Sequence, residues 1–551
     1  MRILLLNKFM KPKILLVYPN LPLMMAPSIA MGIFNAIGKR EGCEVEIFET
    51  TQYSDAYSNK HIRMTEIGAA RPNKDDEVKD MFYIQPTDRI IPDFVEKCKT
   101  YKPDLILMGV QEDVWGMALA LLESIKDLDI THILGGIFPT SAPEVVLSHP
   151  LVKIIALHEG ERTVTDAINC IKNNDPITKI NGIWWKDDFG LVHKNPPQPL
   201  CDITAVTPDF TCFADYRWQR PMGGKIFKRV VSMETYRGCP YNCTYCNSPF
   251  TRDFAKVNDI GNYMRRKSAK CVERDFEYYK ELYNPDLIMF QDDSFLARPK
   301  KEIFEFCEMW SKHKTPFWFN TRIENCKPDV LAALKEAGCY RMTFGLESGN
   351  EDYRRDFLKR NVSNEVYLKH FEYINDSNIP YSLNVIIGMP FETRELVLDS
   401  ARMVRASKGY DGLSVVMMQY YHGTDLRRVA VENGFLDPDH INSYGKTEVG
   451  GGYLDHWSIK MPEPYLQEKD VEQLLKTFAL YSYFSEDRWP EIERAETDDK
   501  LWEELMEEYK SEFFSDLQMG GADRIKSNYC AKHDSSSTYN FEVVQMHDPK
   551  I

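Results

Sequence analysis

The chain has 551 residues, 43% hydrophobic and 27% charged. That composition is ordinary for a soluble globular protein and leaves room for roughly three or four domains. Its 83 Asp+Glu outweigh 68 Lys+Arg for a net charge of −15, which excludes a globally basic nucleic-acid binder. No stretch approaches the ~20 apolar residues of a membrane helix, and the apolar start MRILLLNKFM lacks the long apolar region and small-residue cleavage site of a secretory signal.

The predicted elements open with a strand over 11–20, KPKILLVYPN, closing on Pro-Asn. A helix over 29–39 and a strand over 44–49 follow. Residues 51–90 are polar and read as an insertion, because connections are normally far shorter. The series resumes with strand 104–110, helix 114–126, strand 131–136 and strand 153–161. Continuous apolar strands between helices predict a doubly wound, Rossmann-like α/β domain with a crevice at the strand C-termini, over residues 1–200. The Gly-x-Gly-x-x-Gly nucleotide fingerprint is absent, so a nicotinamide cofactor has little support. Residues 201–227 contain Pro and read as a linker.

From 228 the pattern repeats in a new register. Strand-like runs occur at 228–236, 286–295, 316–323, 340–349, 381–390 and 411–421, with helical stretches such as KPDVLAALKEAG between them. About six βα units over 228–430 predict a partial (β/α)6 barrel. Active residues in such barrels sit at strand C-terminal ends. Asp292, Asp293, Arg322, Glu347, Asn384 and Gly388 fall there, although a polar residue at a strand end is also an ordinary cap or turn former. Beyond 430 the β pattern fades into amphipathic helices at 462–489 and 499–517, a mainly helical C-terminal domain over 431–551 that would cap the site or contact substrate. Gly450, Gly451 and Gly452 would allow close backbone approach, with Tyr453, Asp455 and His456 beside them.

The 13 cysteines are an odd number in a large chain, a poor match to a disulfide framework. Ten are isolated and read as small buried hydrophobes. Cys239, Cys243 and Cys246 instead lie within eight residues, in TYRGCPYNCTYCNSPF. A structural zinc site would want a fourth ligand nearby, and no His follows within 60 residues. Three thiolates with an open fourth position suit an iron–sulfur cube whose unique iron binds something else.

Cys-x-x-x-Cys-x-x-Cys with Tyr245 before the last Cys, Arg237-Gly238 ahead and Asn247 after resembles the signature loop of the radical S-adenosylmethionine (SAM) superfamily. The resemblance implies a [4Fe–4S] cluster on the three thiolates, with SAM on the fourth iron. It also implies SAM contacts at Gln291, Asp292 and Asp293, at Glu347 in GLESG, at Arg322, and at Asn384 and Gly388 in NVIIGMPFE, with Tyr245 near the adenine. The run Tyr420-Tyr421-His422-Gly423-Thr424 is similar to a family Tyr-x-Pro-Gly-Thr element, but with His422 where Pro is usual. Arg360 likewise stands where the family often has Gly after Lys.

The first 200 residues resemble the cobalamin-binding domain ahead of many radical SAM domains. The matching residues are Gly135, Gly136, Pro139, Thr140, Gly160 and Glu161, with the Ile-Asn-Gly-Ile-Trp-Trp hairpin at 180–185. The nearest string to Asp-x-His-x-x-Gly has one residue too many before His132 and falls at the wrong strand. Base-off cobalamin without a histidine ligand is therefore expected, with Val114 or Trp115 shielding the cobalt face. Together the two likenesses imply a cobalamin-dependent, class B-like radical SAM methyltransferase. A 5′-deoxyadenosyl radical would abstract hydrogen from an unactivated carbon, and methylcobalamin would supply the methyl group, with phosphinate methylation a variant. Cyclisation or rearrangement by the same domains is the alternative, and a non-catalytic cobalamin or metal sensor a more distant one. Expected partners are a small-molecule or peptide/protein substrate and an electron donor such as flavodoxin or ferredoxin, with no nucleic acid and no membrane, in a reducing cytoplasm.

Overall fold

The computed structural model describes residues 11–22, 24, 26–54, 83–222, 225–442 and 457–514. Most of the expected 51–90 insertion, the glycine-rich 445–456 segment and the 527–551 tail lie outside the described residues.

The first sheet contains β1 (Lys13–Tyr18), β2 (Glu44–Glu49), β3 (Leu105–Gly109), β4 (His132–Gly135), β5 (Ile154–Ala156), β6 (Ile183–Lys186) and β7 (Val192–Lys194). They are ordered β2-β1-β3-β4-β5-β6-β7. The first five run parallel, and β6 and β7 add an antiparallel hairpin at the edge. Burial explains the continuous apolar runs. Ile14, Leu16, Leu105 and Leu107 join the core on one face, under helices Ile29–Arg40 and Glu161–Asn173. Leu15, Val17, Ile106 and Met108 join the core on the other, under helices Ile90–Tyr101 and Trp115–Ser124. Alternate residues thus serve opposite faces, so neither face could carry polar side chains. The predicted strand 153–161 is only three residues long here. The chain turns at His158, whose φ is +64°, and Gly160 precedes the next helix.

The connecting segment 201–227 is packed rather than loose. Phe210, Phe213 and Trp218 are buried in the core that the two halves share. A short hairpin, β8 (Arg220–Met222) with β9 (Lys225–Phe227), closes it.

The second sheet takes β10 (Val230–Met233), β13 (Leu287–Phe290), β14 (Phe317–Thr321), β15 (Cys339–Glu347), β16 (Tyr381–Ile387) and β17 (Gly412–Met417). All are parallel and in sequence order. Six parallel strands thus occur where the apolar runs of the sequence recur. A small pair, β11 (Tyr236–Arg237) with β12 (Arg265–Arg266), braces the loop after β10. Interleaved aromatics, Phe290, Phe295, Phe306, Trp310, Phe317 and Phe319, fill one side of the barrel wall. C-terminally, helix Glu468–Tyr483 packs on helix Arg394–Ser407. The Glu496 carboxylate there takes Arg394 and the Tyr481 hydroxyl. Among the described residues, no helix is long and apolar enough to cross a membrane.

Candidate active site

The cluster loop leaves β10 and is tied down at almost every residue. Asp292, at the end of β13, accepts the Thr235 and Tyr236 backbone N–H groups at 2.7 and 3.0 Å, and pairs with Arg298 at 2.7 Å. Its side chain is fully enclosed. Asp292, expected as a SAM contact, therefore has both carboxylate oxygens committed to the start of the loop. Arg252 grips the Cys239 and Tyr241 carbonyls, both at 3.1 Å. The Thr244 hydroxyl reaches the Phe357 carbonyl at 3.0 Å. The Ser248 hydroxyl donates to Asp293 at 2.8 Å.

Burial pushes the Cys239 thiol up to about 11 and Cys246 to about 12. As free thiols both are neutral at pH 7, and bound metal would have to draw off their protons. Around one zinc, bonds of ~2.3 Å put neighbouring sulfurs roughly 3.8 Å apart. Among the described residues, the one three-ligand group closing to within 4.8 Å is Glu159, Glu161 and Cys201. The three cluster-loop thiols do not all lie within that distance of one another. The Glu159 group already holds cations: Arg237 reaches Glu159 and Glu161 at 3.0 and 2.8 Å, and Arg265 also pairs with Glu159. Burial opposes the charge on Glu159, yet the two arginines hold it down to about 2.

Two further arginines stand over the thiols. Arg322 and Arg360 place Nη1 at 4.0 and 3.9 Å from the Cys243 sulfur. Arg322 also stacks on Tyr241 at 3.8 Å. Arg360 donates to the Tyr245 hydroxyl at 3.0 Å, which in turn donates to Glu347 at 3.2 Å. Arg360 was not singled out from the sequence as a site residue, and its departure from Lys-Gly was the available signal. Glu347 sits at φ +65°, a conformation rare outside glycine. Two residues earlier, Gly345 leaves room for the Glu347 carboxylate, which lies 2.0 Å from where a Cβ would stand. Burial raises the Glu347 pKa. Asn384 lies half-buried on β16, in register with Gly345 on one side and Ser414 on the other.

Gly388, at φ +82°, ends β16. Its N–H and that of Met389 donate to the fully buried Glu392 carboxylate at 2.6 and 3.1 Å. The second Glu392 oxygen has no partner among the described residues. Burial raises this group to about 8. A carboxyl whose folded pKa lies above its unfolded value stabilises fully below pH ~4.5, and that contribution is lost as pH rises through about 8. Glu392→Gln keeps an oxygen for the two N–H groups and cannot ionise. The variant should match the wild type near pH 4.5, and its melting temperature should exceed the wild type's by a margin that grows from about pH 5 to about pH 8 and then levels off. Parallel melting curves at all pH values would disprove this account of Glu392.

On the other half, the strand C-termini of the first sheet open into a cavity of about 400 Å³. Gly135, Gly136, Gly160 and Glu161, all expected there from the sequence, line it. The barrel contributes Glu234, Arg237 and Gln291 to the same walls. Gly136, at φ +113°, has the Val110 carbonyl 2.6 Å from where a Cβ would stand. Three expected residues lie elsewhere. Trp115 packs in the apolar core against Phe138 and His149. Val114 is buried beside it in the sequence and is not among the lining residues. Thr140 is a brace, donating to the Gly136 carbonyl and accepting the His158 N–H. His132 sits at the opposite end of β4 from Gly135, its ring nitrogens beside backbone carbonyls of Ile130 and Leu151. His158, not singled out from the sequence, does line the cavity, stacked on Phe254.

Residues 233–404 match the model of the radical SAM superfamily. The chain carries a radical SAM domain. The chain is 25% identical over 322 residues to an anaerobic magnesium-protoporphyrin IX monomethyl ester cyclase from Rubrivivax gelatinosus, covering 56% of this chain and 55% of the relative. The match therefore spans little more than half the length of that cyclase. It is 23% identical over 482 residues to a cytidylyl-2-hydroxyethylphosphonate methyltransferase from Streptomyces wedmorensis, covering 80% and 83%. Its fold is similar to that of the cobalamin-dependent SAM radical enzyme OxsB in its complex with aqua-cobalamin and SAM, with TM-score 0.60 at 15% identity over 92% of this chain and 72% of that one. A radical SAM domain implies a [4Fe–4S] cluster and SAM.

Proposed function

We propose that this chain is a cobalamin-dependent radical SAM methyltransferase acting on an unactivated carbon or phosphinate centre. One observation carries the reading. The cavity at the strand ends of the first sheet is completed by Gln291 of the barrel and by Glu234 and Arg237, which lie within a few residues of Cys239. In this reading the two cofactor sites would open onto one shared space.

The residues present fit the groups. Three thiols on one short loop suit the cluster, and Arg322 and Arg360 would offset the negative charge of thiolates. Glu347 and Asp293 are carboxylates suited to the SAM ammonium group, with Asn384 placed for a ribose hydroxyl. Gly135, Gly136 and Gly160 leave open the space that a corrinoid tail would fill. When bound, the cluster and SAM supply a 5′-deoxyadenosyl radical and methylcobalamin supplies a methyl group. The protein's own part is positional: Asp292, Arg252 and Thr244 fix the loop, while the Glu159–Arg237–Glu161 group joins the halves at the cavity mouth. The base-off state without a histidine ligand remains part of the proposal, and His158 is the residue that would test it. A cob(II)alamin spectrum with nitrogen splitting would overturn that part.

The test is anaerobic reconstitution of the full chain. About four iron and four sulfide per chain are expected. Incubation with SAM, hydroxocobalamin and a strong reductant should release 5′-deoxyadenosine and S-adenosylhomocysteine. One zinc and no iron would refute the reading. Deoxyadenosine without S-adenosylhomocysteine would favour cyclisation or rearrangement, the alternative supported by the likeness to the cyclase. We infer a substrate small enough for the shared space, and an electron donor of the flavodoxin or ferredoxin kind.

A further inference from the structure

The loop after β3 and the loop after β17 meet through two buried acids. Glu112 and Asp113 are both buried, at 2% and 3% exposure, on the 3-10 turn that opens the loop. A buried carboxylate is expensive unless fully bonded. Glu112 is bonded by the other half of the molecule. Its Oε2 accepts the His422 backbone N–H at 2.9 Å, and its Oε1 accepts the Asn442 N–H at 3.0 Å and side-chain amide at 3.2 Å. The His422 ring nitrogen Nδ1 stands 3.0 Å from the same Oε1. Beside it the Tyr421 hydroxyl donates to Asp113 at 2.8 Å.

His422 explains the sequence departure. The Thr424 N–H bonds to the Tyr421 carbonyl at 3.2 Å, and Gly423 has φ +85°. Those are the marks of a type II turn, which favours Pro at the position His422 holds. Proline would pre-set the turn but would remove the N–H that Glu112 accepts. The turn is therefore kept while its favoured residue is replaced by one that bonds the acid of the other domain. The His422 carbonyl also accepts the Asn247 side chain at 2.8 Å, one residue after Cys246. One short turn thus touches both the cluster loop and the loop of the first sheet.

We infer that Glu112 and His422 form a latch that sets the register between the strand ends of the two sheets. They are positioning residues, and their purpose rests on the two-cofactor reading above. The latch itself is tested without cofactors. In Glu112→Gln the amide NH2 faces either the His422 N–H or the Asn442 donors, so one bond is lost. His422→Pro keeps the turn and the carbonyl bonded to Asn247 but loses the N–H. Hydrogen exchange in residues 110–117 and 421–442 of the apoprotein should rise about tenfold or more in each variant, with β1, β3 and the barrel strands unchanged. Unchanged exchange in both segments would overturn the latch.

Its purpose is read with SAM, hydroxocobalamin and titanium(III) citrate, which need no knowledge of the substrate. Deoxyadenosine requires SAM and the cluster within the barrel alone, whereas S-adenosylhomocysteine requires SAM to meet the corrinoid across the domains. A displacement of about 1 Å can cost ~10²-fold in such a transfer, so the ratio of S-adenosylhomocysteine to deoxyadenosine should fall about tenfold or more in both variants. A purely structural role would lower both products together and leave the ratio unchanged, which would overturn the assignment. Wild type yielding neither product would refute the functional reading instead, while the exchange result would still decide the latch.

Discussion

Cys243→Ala is expected to fold and to hold no four-iron cluster. Cys243 is 8% exposed and sits between the Arg322 and Arg360 guanidinium groups, so its loss removes a ligand at the centre of the loop. Changes to residues that merely orient ligands cost about 10–100-fold in metal affinity. Removal of a ligand should exceed that. Iron should fall from about four per chain to a small fraction, and deoxyadenosine release from SAM should drop to background. The stability cost should be small, because the remaining ties through Asp292, Arg252 and Thr244 do not involve this side chain. Cys307→Ala removes an equally buried but isolated thiol and should leave iron unchanged. A Cys243→Ala protein with wild-type iron and sulfide would remove the basis for the cluster.

Gly135→Leu should abolish corrinoid retention while leaving the iron intact. Gly135 ends β4 and lines the cavity. A Cβ there would stand 3.7 Å from the Ala156 Cβ, an ordinary contact. A longer side chain can thus be accommodated at the backbone and would extend into the cavity. Overfilling such a space costs about 1–3 kcal/mol, or about 10–100-fold in affinity. The cobalamin absorbance kept after desalting reports the loss, and the iron content reports the intact barrel. Gly136 would be the wrong choice, since its φ of +113° and the Val110 carbonyl at 2.6 Å would strain any side chain. Equal cobalamin retention in Gly135→Leu and wild type would show that the cavity is not the corrinoid site.

Much of the architecture was legible in the residues. Runs such as ILLV at 14–17 and LILM at 105–108 are apolar at every position, which only strands covered on both faces can use. The six strands of the barrel fell where the apolar runs recur, because helix and strand periods are local properties. Boundaries were less secure. The run at 153–161 reads as one strand, but the turn at His158 depends on its contacts with Thr140 and Phe254 from other segments.

What polar residues do was much less legible. Asp292 and Asp293 are adjacent and alike in sequence, yet Asp292 braces the loop start and Asp293 accepts Ser248. Trp115 was expected at the cavity and packs into the core instead. Arg360 gained a place beside Cys243 from 117 residues away. Glu112 found its partners 310 and 330 positions along the chain. Near-neighbour patterns, the apolar period and the cysteine spacing, specify the parallel strands of both sheets and one loop of three thiols. Only the tertiary structure decided which strand-end polar groups face the shared cavity and which hold the two halves together. That choice depends on the desolvation of each charge and on bonds to residues hundreds of positions away.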